Sequence, residues 1–324
     1  MNANSDTRAG ALSAILFLFT AYPLLAQMPP AQRLTEAFAL EKEGKPAPAI
    51  VELRTLLDAN SLDAHRSGKA WNILGLAYED LGEFTLSQHA YEESLRILQG
   101  LPDNIRDYAM ALDDFGGLYV ATGQFEVADK MRTKALGIYE TVGDHGGMAR
   151  SSGDLAGTAF SQKKVGSGSK YLERAVKEAR LASDLDDDDR AAIASLQGWK
   201  AQLEGDFAMS AGRYRQALDL SRRFHGEEHP FTGWNYMLLG EAHADAGQLT
   251  TALGEMRQGI AVLDRTLGHQ NPRYLVAEMA YSRVLDATGS RAEAARIKTT
   301  AESLLKDVYR SQCAGCTISA AAFH

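Results

Sequence analysis

Cysteine and proline are scarce in this chain, at 2 and 8 of 324 residues. So little cysteine excludes a disulfide-stapled scaffold, and so little proline excludes a proline-rich linker protein. Basic charge is short as well: 34 Lys and Arg stand against 42 Asp and Glu, a net charge of −8 with His neutral. That balance excludes the positive surface a nucleic-acid binder needs. At 45% apolar residues the chain is too hydrophobic to remain disordered. It has only one long apolar run, residues 11–25, which excludes a multi-span membrane protein.

That run follows a short segment carrying the single Arg8 and ends on small Ala26. This is the layout of a secretory signal peptide, so residues 1–26 are expected to be removed and the mature chain to be periplasmic or secreted. At 15 residues, broken by Tyr22 and Pro23, the run falls short of the roughly 20 that span a bilayer. An uncleaved anchor through residues 9–26 is the alternative; after cleavage no membrane span is expected. No Cys follows the run, which argues against a lipid-anchored form.

Self-similarity organises the rest. Gly recurs at 44, 82, 123, 205, 247 and 289, at intervals of 38, 41, 82, 42 and 42. The interval of 82 is twice 41, and the missing member falls at Lys163 or Lys164. Trp71 to Tyr78, with Leu74 and Gly75, precedes Gly82; Phe84, Ser87, Tyr91 and Ser94 follow it. Leu112 to Tyr119, with Phe115 and Gly116, precedes Gly123, and Tyr236 to His243, with Leu239 and Gly240, precedes Gly247. Each unit thus carries two apolar stripes at helical spacing around one break, where Gly supplies the left-handed residue that closes the first helix.

Small residues Gly75, Gly116, Gly198 and Gly240 are expected to face Ser87, Ala128, Ser210 and Ala252, with Tyr78 or Tyr119 filling the space beside them. Pro102, Pro230 and Pro272 fall in the links between units, and Pro46 and Pro48 in a first turn where Pro is tolerated. The reading is all-α, with about seven helical hairpins over residues 27–304 and a tail over 305–324.

These residues resemble the tetratricopeptide repeat, and the long period resembles its kinesin-light-chain-like variety of about 42 residues. The resemblance implies a right-handed α-solenoid whose first helices line a concave face that receives extended or helical peptide segments. Carried over, that face holds Lys69, Asn72, Met110, Arg150, Trp199, Trp234, Met237, Met279 and Arg283. Trp, Met and Arg are common at binding hot spots, although Trp199 and Trp234 equally suit packing between adjacent units. Only Lys69 and Asn72 suggest the family's clamp for a terminal carboxylate, and no clamp is inferred. The unit near 150–179 lacks the turn Gly and contains the run 166–168, Gly-Ser-Gly; it is expected to be the least stable, with a flexible turn there and a hinge role.

Three motifs have blander explanations. His225-Gly-Glu-Glu-His229 matches an inverted zinc-peptidase pattern, but Gly226 and Pro230 place it in a link, so helix entry is expected and zinc is not. The acidic run from Asp184 to Asp189 lacks the Gly and Glu of a calcium loop and instead suits a helix start. Cys313 and Cys316 lack the His of a haem-attachment site and two further zinc ligands. In an exported chain they are expected to form a local disulfide.

No nucleophile, base and orienting group converge in this pattern, so no catalysis and no cofactor are expected. The expected role is a non-enzymatic scaffold of the cell envelope that binds a protein or peptide. A ligand-responsive sensor module is the alternative, and a zinc peptidase through His225 and His229 a distant one.

Overall fold

The computed structural model describes residues 28–312. The expected signal, residues 1–26, and the Cys313–Cys316 pair lie outside the described residues. Helices α1 (Pro30–Lys42) and α2 (Pro46–Asp58) form a first antiparallel pair, and α3 (Ala64–Asp80) and α4 (Phe84–Leu98) a second. A 3₁₀ turn at Pro102–Asn104 leads into α5 (Ile105–Ala121) and α6 (Phe125–Val142), followed by α7 (His145–Ser161) and α8 (Val165–Leu181). The remaining pairs are α9 (Asp187–Leu203) with α10 (Phe207–His225), α11 (Pro230–Asp245) with α12 (Leu249–Leu267), and α13 (Pro272–Ala287) with α14 (Arg291–Gln312). The described residues contain no strand. The seven pairs stack side by side as a right-handed α-solenoid.

Every hairpin turn is built alike. The residue at the break takes a left-handed φ, from 69° at Gly44 to 94° at Gly289, and its N–H bonds to the carbonyl three residues back. The next N–H reaches back five, as Glu83 does to Tyr78 at 2.9 Å, so carbonyls left open at the helix end are satisfied. In the fourth hairpin Lys163 adopts this conformation at φ 58° and makes the same bonds.

Two of the expected small-residue pairs are seen in contact, Gly75 with Ser87 and Gly240 with Ala252. Ser87, Ala128, Ser210 and Ala252 are fully buried, and the Ser87 hydroxyl donates to the Gly75 carbonyl at 2.9 Å. The filler of the gap differs from expectation. A Cβ on Gly75 would lie 2.7 Å from the Tyr91 ring, one on Gly198 2.9 Å from Tyr214, and one on Gly240 2.4 Å from Met256. The side chain one turn beyond the small residue on the second helix occupies the space, because it points back over that turn. Tyr78 and Tyr119 are only half-buried.

Two further expectations are corrected. Residues 166–168 lie in the first turn of α8, where a Cβ on Gly168 would come within 2.4 Å of the Phe160 ring; close packing explains that Gly, and no flexible turn exists there. The last helix does not end at 304: α14 runs to Gln312 and buries Leu305 and Tyr309, so residues 305–312 belong to the array.

The stack curls until its ends meet. The Lys42 carbonyl receives a bond from His229 Nε2 at 3.2 Å, the Asp80 carbonyl one from Asn271 Nδ2 at 2.5 Å, and the Ala121 carbonyl one from the Tyr309 hydroxyl at 3.0 Å. Lys42, Asp80 and Ala121 are the last residues of α1, α3 and α5, each two before its turn Gly. The seam therefore satisfies helix-end carbonyls that the helices themselves leave open. His229 and Asn271 are also the N-caps of α11 and α13, so helix C-termini meet helix N-termini and the dipoles align favourably. Gly44 and Gly82 are required here twice over: beyond their φ, a Cβ on either would sit 2.7 Å from the ring of Pro230 or Pro272. Thr85 to the Gln312 carbonyl at 2.7 Å, and the Phe84 and Tyr309 rings 5.6 Å apart, extend the seam.

Candidate axial binding site

Closure of the curl leaves a cavity of about 460 Å³ along the inner side of the solenoid. Six of the seven hairpins contribute to its wall, mainly through α3, α5, α7, α9, α11 and the start of α13. Such a volume lies within the range of about 300–1,000 Å³ typical of ligand pockets. Small residues Gly117, Gly153 and Gly157 keep part of the wall low, while Phe84, Trp199, Phe231 and Trp234 supply aromatic surface.

Carboxylates dominate the polar part of the wall: Glu79, Asp80, Asp154, Asp188 and Asp189, against Arg132 and Arg273. Arg273 pairs with Asp80 at 3.6 Å and stands 5.6 Å from the centre of the Phe231 ring. Arg132, 7% exposed, donates to the Asp154 carbonyl at 3.0 Å and to Thr158 Oγ1 at 2.6 Å, and its Nε has no hydrogen-bond partner among the described residues. Asp188 accepts from His225 at 2.8 Å, and Asp189 meets Arg150 at 3.2 Å. The Glu79 carboxylate accepts from the Tyr91 hydroxyl at 3.1 Å.

Sheltering these groups shifts their protonation. Burial, with Asp80 nearby, pushes Glu79 up to about 8. Glu41, three residues before Gly44 as Glu79 is before Gly82, is likewise pushed up to about 8 by burial and by the charges of Asp80 and Asp114. Asp114 rises to about 6 through burial, opposed by the amide of Asn72. Burial also raises Asp80 and Asp154, against the pull of Arg273 and Arg132 respectively.

Of the residues assigned to the concave face from sequence, Trp199 and Trp234 line the cavity. Trp199 also packs edge-on against Phe160 of the preceding hairpin at 5.6 Å, so it serves both packing and wall. Met237 is 2% exposed and sealed against the Gly259 region of its own hairpin, and Met279 packs on the core; neither lines the cavity. Asn72 is buried, donating to Asp114 at 2.7 Å. Lys69 pairs with Asp107 at 3.3 Å and Arg283 with Glu241 at 2.5 Å, while Met110 is exposed outside the cavity wall. Arg150 stands beside the wall, held by Asp189 and Asp184. Asp and Glu are not residue types enriched at binding hot spots, so residue type alone does not single out the wall carboxylates.

The His225–His229 pair does not have the geometry of a zinc site. His225 ends α10 and His229 caps α11, and their rings stack 3.8 Å apart and 9° from parallel, so their nitrogens do not converge. His229 Nδ1 accepts from the Phe231 N–H at 3.2 Å, which leaves Nε2 to donate to Lys42. Burial and the neighbouring His225 pull His229 down to about 4. Among the described residues no group of three His, Cys, Asp or Glu side chains is arranged to hold a metal. The acidic run caps α9: Asp186 accepts from the N–H groups of Asp188 and Asp189, each at 3.0 Å, in a capping box.

A family model described as tetratricopeptide repeat matches residues 66–141 and 201–265. No curated protein matches the sequence. The solved apo form of RapI superposes with a TM-score of 0.58 at 12% identity, over 86% of this chain and 100% of that one. A Rap protein complexed with competence and sporulation factor gives 0.56 at 13% identity, over 87% and 96%. The Rap conjugation gene regulator of plasmid pLS20, in complex with the Phr* peptide, gives 0.52 at 12%, over 87% and 96%. At these identities the likeness is one of fold. No helix among the described residues is long and apolar enough to cross a membrane.

Proposed function

This chain is a tetratricopeptide-repeat protein, and from that premise we propose that it is a non-enzymatic scaffold of the cell envelope, holding a segment of a partner protein or a free peptide in its axial cavity. The observation that carries the reading is the cavity itself: six hairpins converge on one partly open hollow, which no single unit could form. Its aromatic and charged wall has the make-up of surfaces that anchor peptide side chains. The envelope location rests on the layout of residues 1–26. The Phr* complex of the structural neighbour lends the peptide reading support by analogy.

Affinity capture of the mature chain's partner from a native envelope fraction, with Trp234→Ala alongside, tests this. The partner is expected to be retained by the native chain and lost by the variant, whose folding is checked by its helical circular dichroism. A partner kept equally well by a folded variant would put binding elsewhere. The seam favours a second reading, a ligand-responsive module, because anything that enters the cavity also acts on the curl that encloses it. Small-angle scattering with the captured partner segment separates the two: a scaffold keeps its profile, whereas a sensor changes it.

A further inference from the structure

We propose that the segment held in the axial cavity is cationic, a stretch of partner chain bearing Arg or Lys side chains. The inference rests on reading the cavity as the binding site and adds the chemistry of its occupant. Five carboxylates line the wall against two guanidinium groups. Arg273 is taken up by Asp80, and Arg132 is committed to the Asp154 segment. Asp189 is met by Arg150, Asp188 by an imidazole and Glu79 by a phenol, with the Arg273 charge also acting on Glu79; among the described residues Glu79 and Asp188 are the wall carboxylates that form no direct Lys or Arg ion pair.

A neutral apolar occupant would strip water from these carboxylates and return nothing, and an acidic one would be repelled. A cation restores their partners. The cavity already contains one example of the chemistry: Arg273 lies between a carboxylate, Asp80, and an aromatic face, Phe231. Trp234 offers a further aromatic face in the same wall, and a guanidinium or ammonium is attracted to such a face. Glu79 holds a proton near neutrality when no cation is present, and an entering cation displaces that proton. Binding should therefore strengthen as pH rises.

A display library of random heptapeptides selected on the full chain tests the proposal. Winners are expected to be rich in Arg and Lys. A synthetic winner should bind about tenfold more weakly to a Glu79→Gln variant, since a charged hydrogen bond is lost. It should also bind more tightly at about pH 9 than at about pH 6 and weaken with added salt. Neutral or acidic winners that still depend on Trp234 would overturn the cationic inference and leave the cavity reading standing. Winners indifferent to Trp234→Ala, or no enrichment at all, would overturn both. If the Gln variant fails to fold, the salt and pH dependence on the native chain decides: a salt-insensitive winner refutes the proposal.

Discussion

Lys163 occupies a backbone position that Gly fills in the other six hairpins, at φ 58°. An L side chain there crowds its own carbonyl, a strain of about 1–2 kcal/mol, partly offset because Lys restricts the unfolded chain more than Gly does. Lys163→Gly should therefore stabilise the protein by about 0.5–1 kcal/mol in urea denaturation, and a loss of stability would show that Lys163 makes a compensating contact. Glu79 gives a prediction that depends on pH. Its carboxyl releases its proton near 4.5 when exposed and near 8 in the folded chain. Between those values the folded state keeps a proton the unfolded state has given up, so stability falls as pH rises through the window. Glu79→Gln removes that dependence and should raise stability above pH 8 by on the order of 2 kcal/mol, with little effect below about pH 4.5. Denaturation of both proteins across pH checks this; parallel curves would mean that Glu79 titrates normally. His229 acts in the opposite sense. Its folded value near 4 lies below the ordinary 6.5, so its contribution is present above 6.5 and is lost as pH falls towards 4.

Helix caps show how an element can serve two places at once. Asp206 accepts from the Met209 N–H at 3.0 Å and so caps α10 alone. Asn271 accepts from the Arg273 N–H at 2.9 Å to cap α13, and its amide also closes the end of α3 through the Asp80 carbonyl. Asp206→Ala should cost about 1 kcal/mol and Asn271→Ala about 2–3 kcal/mol, because the latter also leaves a sheltered carbonyl without its donor. Equal losses in chemical denaturation would show that the bond across the seam adds nothing. The caps and turns were legible in the sequence, since a Gly every 42 or so residues with Leu and Ala at helical spacing fixes each hairpin locally. Even the gap at Lys163 could be located by halving an interval. The cavity wall was not legible in that way. Glu79 stands three residues before its turn Gly, where the other units hold Glu41, Val120, Phe160, Gln202, Ala244 and Asp286, so the repeat imposes no residue type there. Met237 misled for the converse reason: its type suits a binding face, but its stripe faces its own second helix. Asn271 and His229 read as helix-entry residues, and nothing local reveals a carbonyl about 190 residues away.

At the scale of the molecule, the seam's bonds join the first three hairpins to the last two. The bonds from His229 to Lys42, Asn271 to Asp80 and Tyr309 to Ala121 span 187, 191 and 188 residues, nearly a constant offset along the chain. A constant offset is what a regular curl produces when one turn settles on the next, so the seam is a consequence of repeat geometry fixed by three specific donors. Each unit otherwise leans only on its neighbours, and a small change per unit accumulates along a solenoid. Removing two donors, by Asn271→Ala with Tyr309→Phe, should let the ends part while each hairpin stays helical. The expected result is a larger radius of gyration in small-angle scattering, unchanged helical circular dichroism, and faster amide exchange at the ends of α3 and α5. Gly82→Ala should open the same seam by a different route, since its new Cβ would press on Pro272 at 2.7 Å in a conformation that already disfavours a side chain. Because the cavity exists only while the curl is closed, both variants should lose the partner segment together with their compactness. A variant that expands yet binds as tightly as the native chain would show that the segment is held by the open concave face and that the hollow plays no part.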